Sequence, residues 1–168
     1  MLPKQFKPET GGGRYTLSNL QSGEKVKVRI LSDFIAGKSV WSDLENGKRS
    51  PFRVRIGENI PTSKIGNNPK TGEAERIKQF IAAVVWNYST EQVEILETDK
   101  ATIIGAIYDL ENSEEWGDTK TYDISIAKSG QGMDTKYTVL PSSKSVFKAK
   151  ADWKNVNLEA LYEGADPF

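Results

Sequence analysis

The chain has 168 residues, 27% of them charged, and contains neither cysteine nor histidine. It therefore has no thiol or imidazole nucleophile, no disulfide and no ordinary ligand set for zinc or copper, leaving carboxylates as its metal-ligating side chains. Its 23 bases and 23 acids cancel, but residues 1–78 hold 15 bases and 8 acids, residues 79–154 hold 8 and 12, and the last fourteen hold three acids alone.

A chain of this length makes one domain with appendages and can bury about two-thirds of its unfolded surface without help from disulfides or metals. No apolar run approaches the roughly 18 residues of a membrane helix, and no signal-like segment opens the sequence. A soluble, cytoplasmic protein with no membrane partner is expected. The basic front points to an anionic ligand held by the first part of the chain, with ordinary solvated surface as the plainer explanation.

Residues 1–13 are a polar arm ending in Gly11-Gly12-Gly13. No strand leads into these glycines and no helix leaves them, so they read as a flexible joint rather than a phosphate loop. Lys25 to Leu31 alternates, with Val26, Val28 and Ile30 one way and Lys25, Lys27 and Arg29 the other: a half-buried strand with a basic outer face. Ala36 to Leu44 is a second strand, Val40 and Leu44 inward and Trp41 outward. Asn46-Gly47 signals a hairpin, and the chain returns as Phe52 to Ile56 with Arg53 and Arg55 facing out. Residues 57–78 form a long polar loop carrying Lys64, Lys70, Arg76 and Lys78. Loops of this length usually work as lids or binding arms, and this one is expected to be a flexible flap.

The next block decides the fold. Gln79 to Tyr88 is rich in β-branched and aromatic residues and predicts a long strand. Either of its faces can turn inward, Phe80-Ala82-Val84-Trp86-Tyr88 or Ile81-Ala83-Val85. Gln92 to Glu97 is strand-like. A helix follows from Asp99 to about Leu110, capped by Thr98, with Ile103, Ile107 and Leu110 on one face. Strands at Tyr122–Ile126 and Thr135–Leu140 complete the domain before Pro141. The order is all-β with one helix and predicts an OB fold, a five-stranded Greek-key barrel with its helix between strands three and four. The OB domain is placed at residues 14–150, between the arm and an acidic C-terminal tail, residues 151–168, in which 155–163 can form a short helix.

Proteins that bind single strands combine a basic groove with aromatic faces on which bases stack. Trp41, Phe80, Trp86 and Tyr88 are the stacking candidates; capping of a barrel end (Trp41) and core packing (the other three) compete with that role. Lys48, Arg49, Arg53, Arg55, Lys64, Lys70, Arg76 and Lys78 are the phosphate-contact candidates, with solubility as the competing reason for each. Enzyme readings fail on spacing. Gly37-Lys38-Ser39 ends like a phosphate loop, but Ser32 stands where the earlier glycine belongs. Glu111, Glu114, Glu115 and Asp118 lack a second carboxylate group within plausible reach and read as a solvated loop. No catalytic residue, metal or cofactor is expected.

Two resemblances add to this. The end of the chain, Asp166-Pro167-Phe168 after Glu159 and Glu163, resembles the acidic tip of bacterial and phage single-stranded DNA-binding proteins. In those families the terminal aromatic and carboxylate dock into basic pockets on replication and repair partners. Val85-Trp86-Asn87-Tyr88, Glu94-Ile95-Leu96-Glu97, Trp116-Gly117-Asp118, Tyr122-Asp123-Ile124 and Gly130 to Tyr137 look like a family of tailed-phage single-stranded DNA-binding proteins, across about residues 20–145. That resemblance implies an OB core, sequence-independent binding of single strands and work in phage replication, recombination and repair inside an infected bacterium. Some related phage proteins hold a structural zinc with Cys and His, which this chain lacks.

The expectation is thus a single-stranded DNA-binding protein and not an enzyme. Its tail either recruits replication or recombination proteins or fills the groove when DNA is absent, and removing residues 155–168 is then expected to tighten DNA binding. An OB-type protein-interaction adaptor with no nucleic-acid ligand is the alternative. Oligomeric state is left open, a homodimer being one option.

Overall fold

The structure, a computed structural model, describes residues 1, 3–4 and 14–168, so most of the expected N-terminal arm lies outside the described residues. Its strands are β1 (Lys25–Ile30), β2 (Ile35–Asp43), β3 (Arg49–Arg55), β4 (Lys78–Asn87), β5 (Gln92–Thr98), β6 (Tyr122–Ser129) and β7 (Lys136–Lys144). One α-helix, α1 (Ala101–Glu111), follows β5, and short 3-10 turns occur at Thr62–Lys64, Thr119–Thr121, Gly132–Asp134 and Leu158–Glu163. Seven strands form one open sheet in the order β3-β2-β4-β1-β6-β7, with β5 on the other edge of β4, and the strand pairs are antiparallel. All seven stretches read as strands are strands here, two more than the five-stranded barrel named for them. The β2–β3 hairpin accounts for the other two, standing between β1 and β4 in the chain.

β4 is the pivot. Its first half pairs with β2, its last three residues pair with β1, and β5 runs along its opposite edge. The change of partner happens at residues 31–34, where the chain bends between β1 and β2. There the Leu31 amide donates to the Val84 carbonyl at 2.8 Å, and the Val84 amide donates to the Ser32 hydroxyl at 2.8 Å. Both backbone groups of Val84 are thereby satisfied across the break, as buried polar groups must be.

Both faces of β4 are buried, which explains why its apolar run offered two possible inward sides. Ala83 and Val85 join Val26, Val28, Ile30, Leu96, Ile124 and Ile126 in the main core, closed by Ile103 and Ile107 of α1. Phe80, Ala82 and Val84 face the other way, into a second core with Ile95, Leu158 and Leu161. The helix is two residues shorter at its start than expected: Lys100 is its N-cap, and Thr98 instead accepts the Lys100 amide at 3.0 Å. Leu44 and Ile56, expected inside, are exposed at strand ends.

The second core changes the status of residues 151–168. Leu158–Glu163 is a 3-10 turn whose Leu158, Ala160 and Leu161 are buried, and Trp153, Val156 and Tyr162 pack beside them. Gly164, at φ 68°, turns the chain back, the Ala165 amide donates to Ala160 and the Asn157 amide to the Pro167 carbonyl. This segment is folded onto the domain and is not a free tail. Arg14–Thr16 borders the outer edge of β5: the Ile95 amide donates to Arg14 at 2.7 Å, and the Thr16 amide donates to Ile95 at 3.0 Å. Among the described residues no helix is long and apolar enough to cross a membrane.

Candidate nucleic-acid interface

Cross-strand partners in a sheet point to the same side. Register therefore gathers the candidates. On one outer face lie Arg49, Arg53 and Arg55 of β3, opposite Asp43, Ser39 and Gly37 of β2, with Trp41 in the same row. Lys78, Phe80 and Ala82 of β4 continue that face beyond Ser39, Gly37 and Ile35, and Glu97 and Ile95 of β5 complete it. Trp41 and the three arginines thus share one side of the sheet; Phe80 has the same direction but lies in the second core. A cleft of about 390 Å³ opens here, bounded by Trp41, Arg53, Arg76, Lys78, Phe80 and Glu97.

Trp41 is 47% exposed, a large apolar ring left partly in water. Arg49 backs it, with its guanidinium 5.8 Å from the ring centroid. That arginine is held in turn by Asp43 at 2.9 Å and Glu75 at 2.7 Å. It is a support for the ring more than a free phosphate contact. Arg76 has no ion-pair partner among the described residues, and Lys78 has only Asp99, at 3.9 Å. Of the cations expected from the sequence, these two are the ones the cleft offers to a ligand. Lys100, Tyr15 and Tyr137 also border it. Sequence reasoning missed them because they come from three distant segments that only the sheet brings together.

The loop of residues 57–77 is not a structureless flap. The Gly66 amide donates to the Trp41 carbonyl at 2.8 Å, continuing the edge of β2 where β4 leaves it, and the Glu75 amide donates to Gly66 at 2.8 Å. A side chain at Gly66 would sit 2.7 Å from the Trp41 carbonyl oxygen, so only glycine allows this approach. The Asn67 amide donates to the Asp43 carboxylate at 3.0 Å. That bond first, and Arg49 second, hold the Asp43 carboxyl below its ordinary value. A depressed carboxyl contributes its anchoring fully above the unfolded pKa of about 3.9 and loses it as pH falls through the lower folded value. The Asn67 amide signal, followed by NMR from pH 7 to pH 2, is expected to shift only below the ordinary carboxylate range; a midpoint at or above about 3.9 would refute the anchor.

The other candidates are placed as follows. Phe80 is 1% exposed, roofed by the second core and by Tyr162, whose ring lies edge-on at 5.9 Å. It shares the expected face but is no stacking surface in this conformation. Arg53 is also spent, with both Nε and Nη2 donating to Glu97 and Nη1 to the Leu161 carbonyl. Arg55 donates to Glu159 at 2.9 Å and lies 4.4 Å from the Tyr162 ring centroid. Lys48 and Lys70 are exposed on the hairpin and the loop, and Lys64 sits 5.6 Å from the Phe52 ring.

Trp86 and Tyr88 do not join Trp41. They sit at the far end of β4, eight residues from Lys78 in the case of Trp86, or about 26 Å along a strand. Trp86 packs edge-on to Phe147, and the Tyr88 hydroxyl donates to Asp123 at 2.8 Å. Burial and that bond push the Tyr88 hydroxyl pKa up to about 12. Arg29, expected on the basic outer face of β1, is 2% exposed: Asp123 stands opposite it on β6 and takes its Nε at 2.7 Å, while Ser145 takes Nη2.

At the C-terminus, Pro167 is buried and the Phe168 ring lies 4.3 Å from the Arg14 guanidinium. The Phe168 amide donates to Asp166 at 2.9 Å. The expected partner-binding tip is therefore seated on its own chain. No family model, no curated protein and no solved structure matches this sequence.

Proposed function

We propose that this chain binds single-stranded DNA without sequence preference, as a phage-type OB-fold protein acting in replication, recombination or repair. The observation that carries the reading is the half-exposed Trp41 ring, braced by Arg49 and set beside Arg76 and Lys78 on one cleft. Strand order supports the OB reading. β1, β4, β5, α1, β6 and β7 follow the barrel sequence with the helix after the third strand, and the β2–β3 hairpin is an insertion in the first connection. OB folds bind oligonucleotides on the face of their second and third strands and on the loop joining the first two. With β4 and β5 taken as the second and third barrel strands, the lining of the cleft by Lys78, Phe80, Glu97 and Trp41 supports binding at that face and that connection.

Of the two roles considered for the C-terminal segment, occupation of the binding face is the one its contacts favour. Leu161 and Glu159 engage Arg53 and Arg55, and Tyr162 lies over Phe80. Recruitment of partners through Asp166, Pro167 and Phe168 requires the tip to leave Arg14.

Titration with oligo-dT and with matched duplex at two salt concentrations, following tryptophan fluorescence, tests the reading. Salt-sensitive quenching by the single strand alone is expected. Trp41→Ala is expected to weaken binding about 5- to 150-fold, the worth of one stacked base at about 1–3 kcal/mol. A chain that responds to neither nucleic acid is the protein-interaction adaptor instead, and an unchanged affinity in Trp41→Ala removes the cleft from the account.

A further inference from the structure

The outer face of β1, β6 and β7 is not used by the cleft. Register places Lys25 opposite Ala127, and Lys27 opposite Ser125. Across the next strand Ala127 meets Thr138, Ser125 meets Leu140, and Ser129 meets Lys136. The floor between the lysines is thus made of the small side chains Ala127, Ser125, Ser129 and Thr138, with Leu140 exposed at one side. Lys27, Lys25 and Lys136 run diagonally across it. The first two are separated by two strand residues, about 7 Å, and Lys136 lies two strands away, about 10 Å across the sheet.

Acids do not neutralise this row. Asp123 is the carboxylate on the face, and Arg29 takes it at 2.7 Å; Lys27 reaches it only at 3.6 Å. Lys25 and Lys136 have no ion-pair partner among the described residues, and both are exposed. Lys27 also sits 5.0 Å from the Tyr88 ring centroid. The face and the cleft meet only at the start of β7, where Lys136 lies on the outer side and the next residue, Tyr137, turns to the core side and borders the cleft.

We infer that Lys136, Lys25 and Lys27 form a second phosphate-binding track, along which a single strand continues after leaving the cleft past Tyr137. The inference rests on the single-strand reading above. It makes the footprint longer than the cleft and gives Tyr88, remote from Trp41, a place beside the same strand. The chemistry recognised is the sugar-phosphate backbone: three cations over small side chains attract a polyanion and offer no pocket that reads a base.

The test compares oligo-dT of about 6 nucleotides, enough for the cleft, with oligo-dT of about 25. The variants are Lys25→Gln/Lys27→Gln/Lys136→Gln and the corresponding triple glutamate, with thermal melts to check folding. The wild-type chain is expected to bind the longer oligomer with the steeper salt dependence. In the triple glutamine variant that slope is expected to fall by about 2, at about 0.7 per phosphate contact, with at least a tenfold loss of affinity. Binding and quenching by the short oligomer are expected to stay unchanged. Equal affinity of wild type and triple glutamine for the longer oligomer overturns the track. So does an equal loss for both lengths, or an equal loss for a polyglutamate of matched charge, which would make the face a patch for acidic protein. If the wild-type chain binds neither oligomer, the cleft reading itself fails; if it binds the short one and the lysines add nothing to the long one, only the track falls.

Discussion

Arg53→Ala is expected to lower the unfolding free energy by about 1.5–3 kcal/mol, the worth of hydrogen bonds to a charged group at a part-buried pair. Arg53 is 9% exposed at its side chain and Glu97 19%, and the pair closes at 2.8 Å. Both Arg53 contacts to the carboxylate fall on one oxygen, while Glu97 Oε2 is buried with no hydrogen-bond partner. Without the guanidinium, Glu97 would keep a part-buried charge without its counter-ion and the Leu161 carbonyl would lose its donor. Replacing both residues by apolar ones of similar volume is expected to restore much of the loss, since such pairs contribute little net stability. Urea denaturation of the single and double variants measures this. A stable Arg53→Ala protein with weakened DNA binding would return Arg53 to the role the sequence suggests, that of a phosphate contact.

Leu161→Ala is expected to cost about 2–5 kcal/mol, the range for emptying a buried leucine site. Leu161 and Leu158 cover Phe80, Ala82, Val84 and Ile95, which otherwise face water. This revises the expected outcome of truncation. Removal of residues 155–168 takes away two of the six buried residues of an apolar core, with Val156 and Tyr162 beside them, along with three acids, so lower stability and self-association are expected before any gain in DNA affinity appears. Denaturant midpoints for Leu161→Ala and the truncated chain decide it. A truncated chain as stable as the full one would show that the segment is an appendage after all.

Local pattern carried much of the architecture. The alternation of Val26, Val28 and Ile30 and the spacing of Ile103 and Ile107 depend on neighbours within one element and appear in the structure as read, and the Asn46-Gly47 hairpin forms, though through five connecting residues, 44–48, and not two. The outward direction of Trp41 is of the same kind. Misreadings came from long-range pairs. Arg29 looks solvated in its own strand, and only the β1–β6 register sets Asp123 opposite it. Arg53 follows the same rule through Glu97, forty-four residues away. The loop of residues 57–77 lacks apolar periodicity, yet Gly66, Asn67 and Glu75 tie it to β2 and β3 by backbone and carboxylate contacts that no periodicity reveals.

The sequence by itself determined an all-β chain with one helix, a basic first half and a tryptophan on the outside of a strand, because propensity, side-chain period and charge are properties of short stretches. Tertiary structure alone decided which bases stay free and which rings stay open. A charge is available to a ligand only when folding brings no opposite charge to it, and a ring is available only when no other segment lies over it. Arg76 and Trp41 meet those conditions; Arg53 and Phe80 do not.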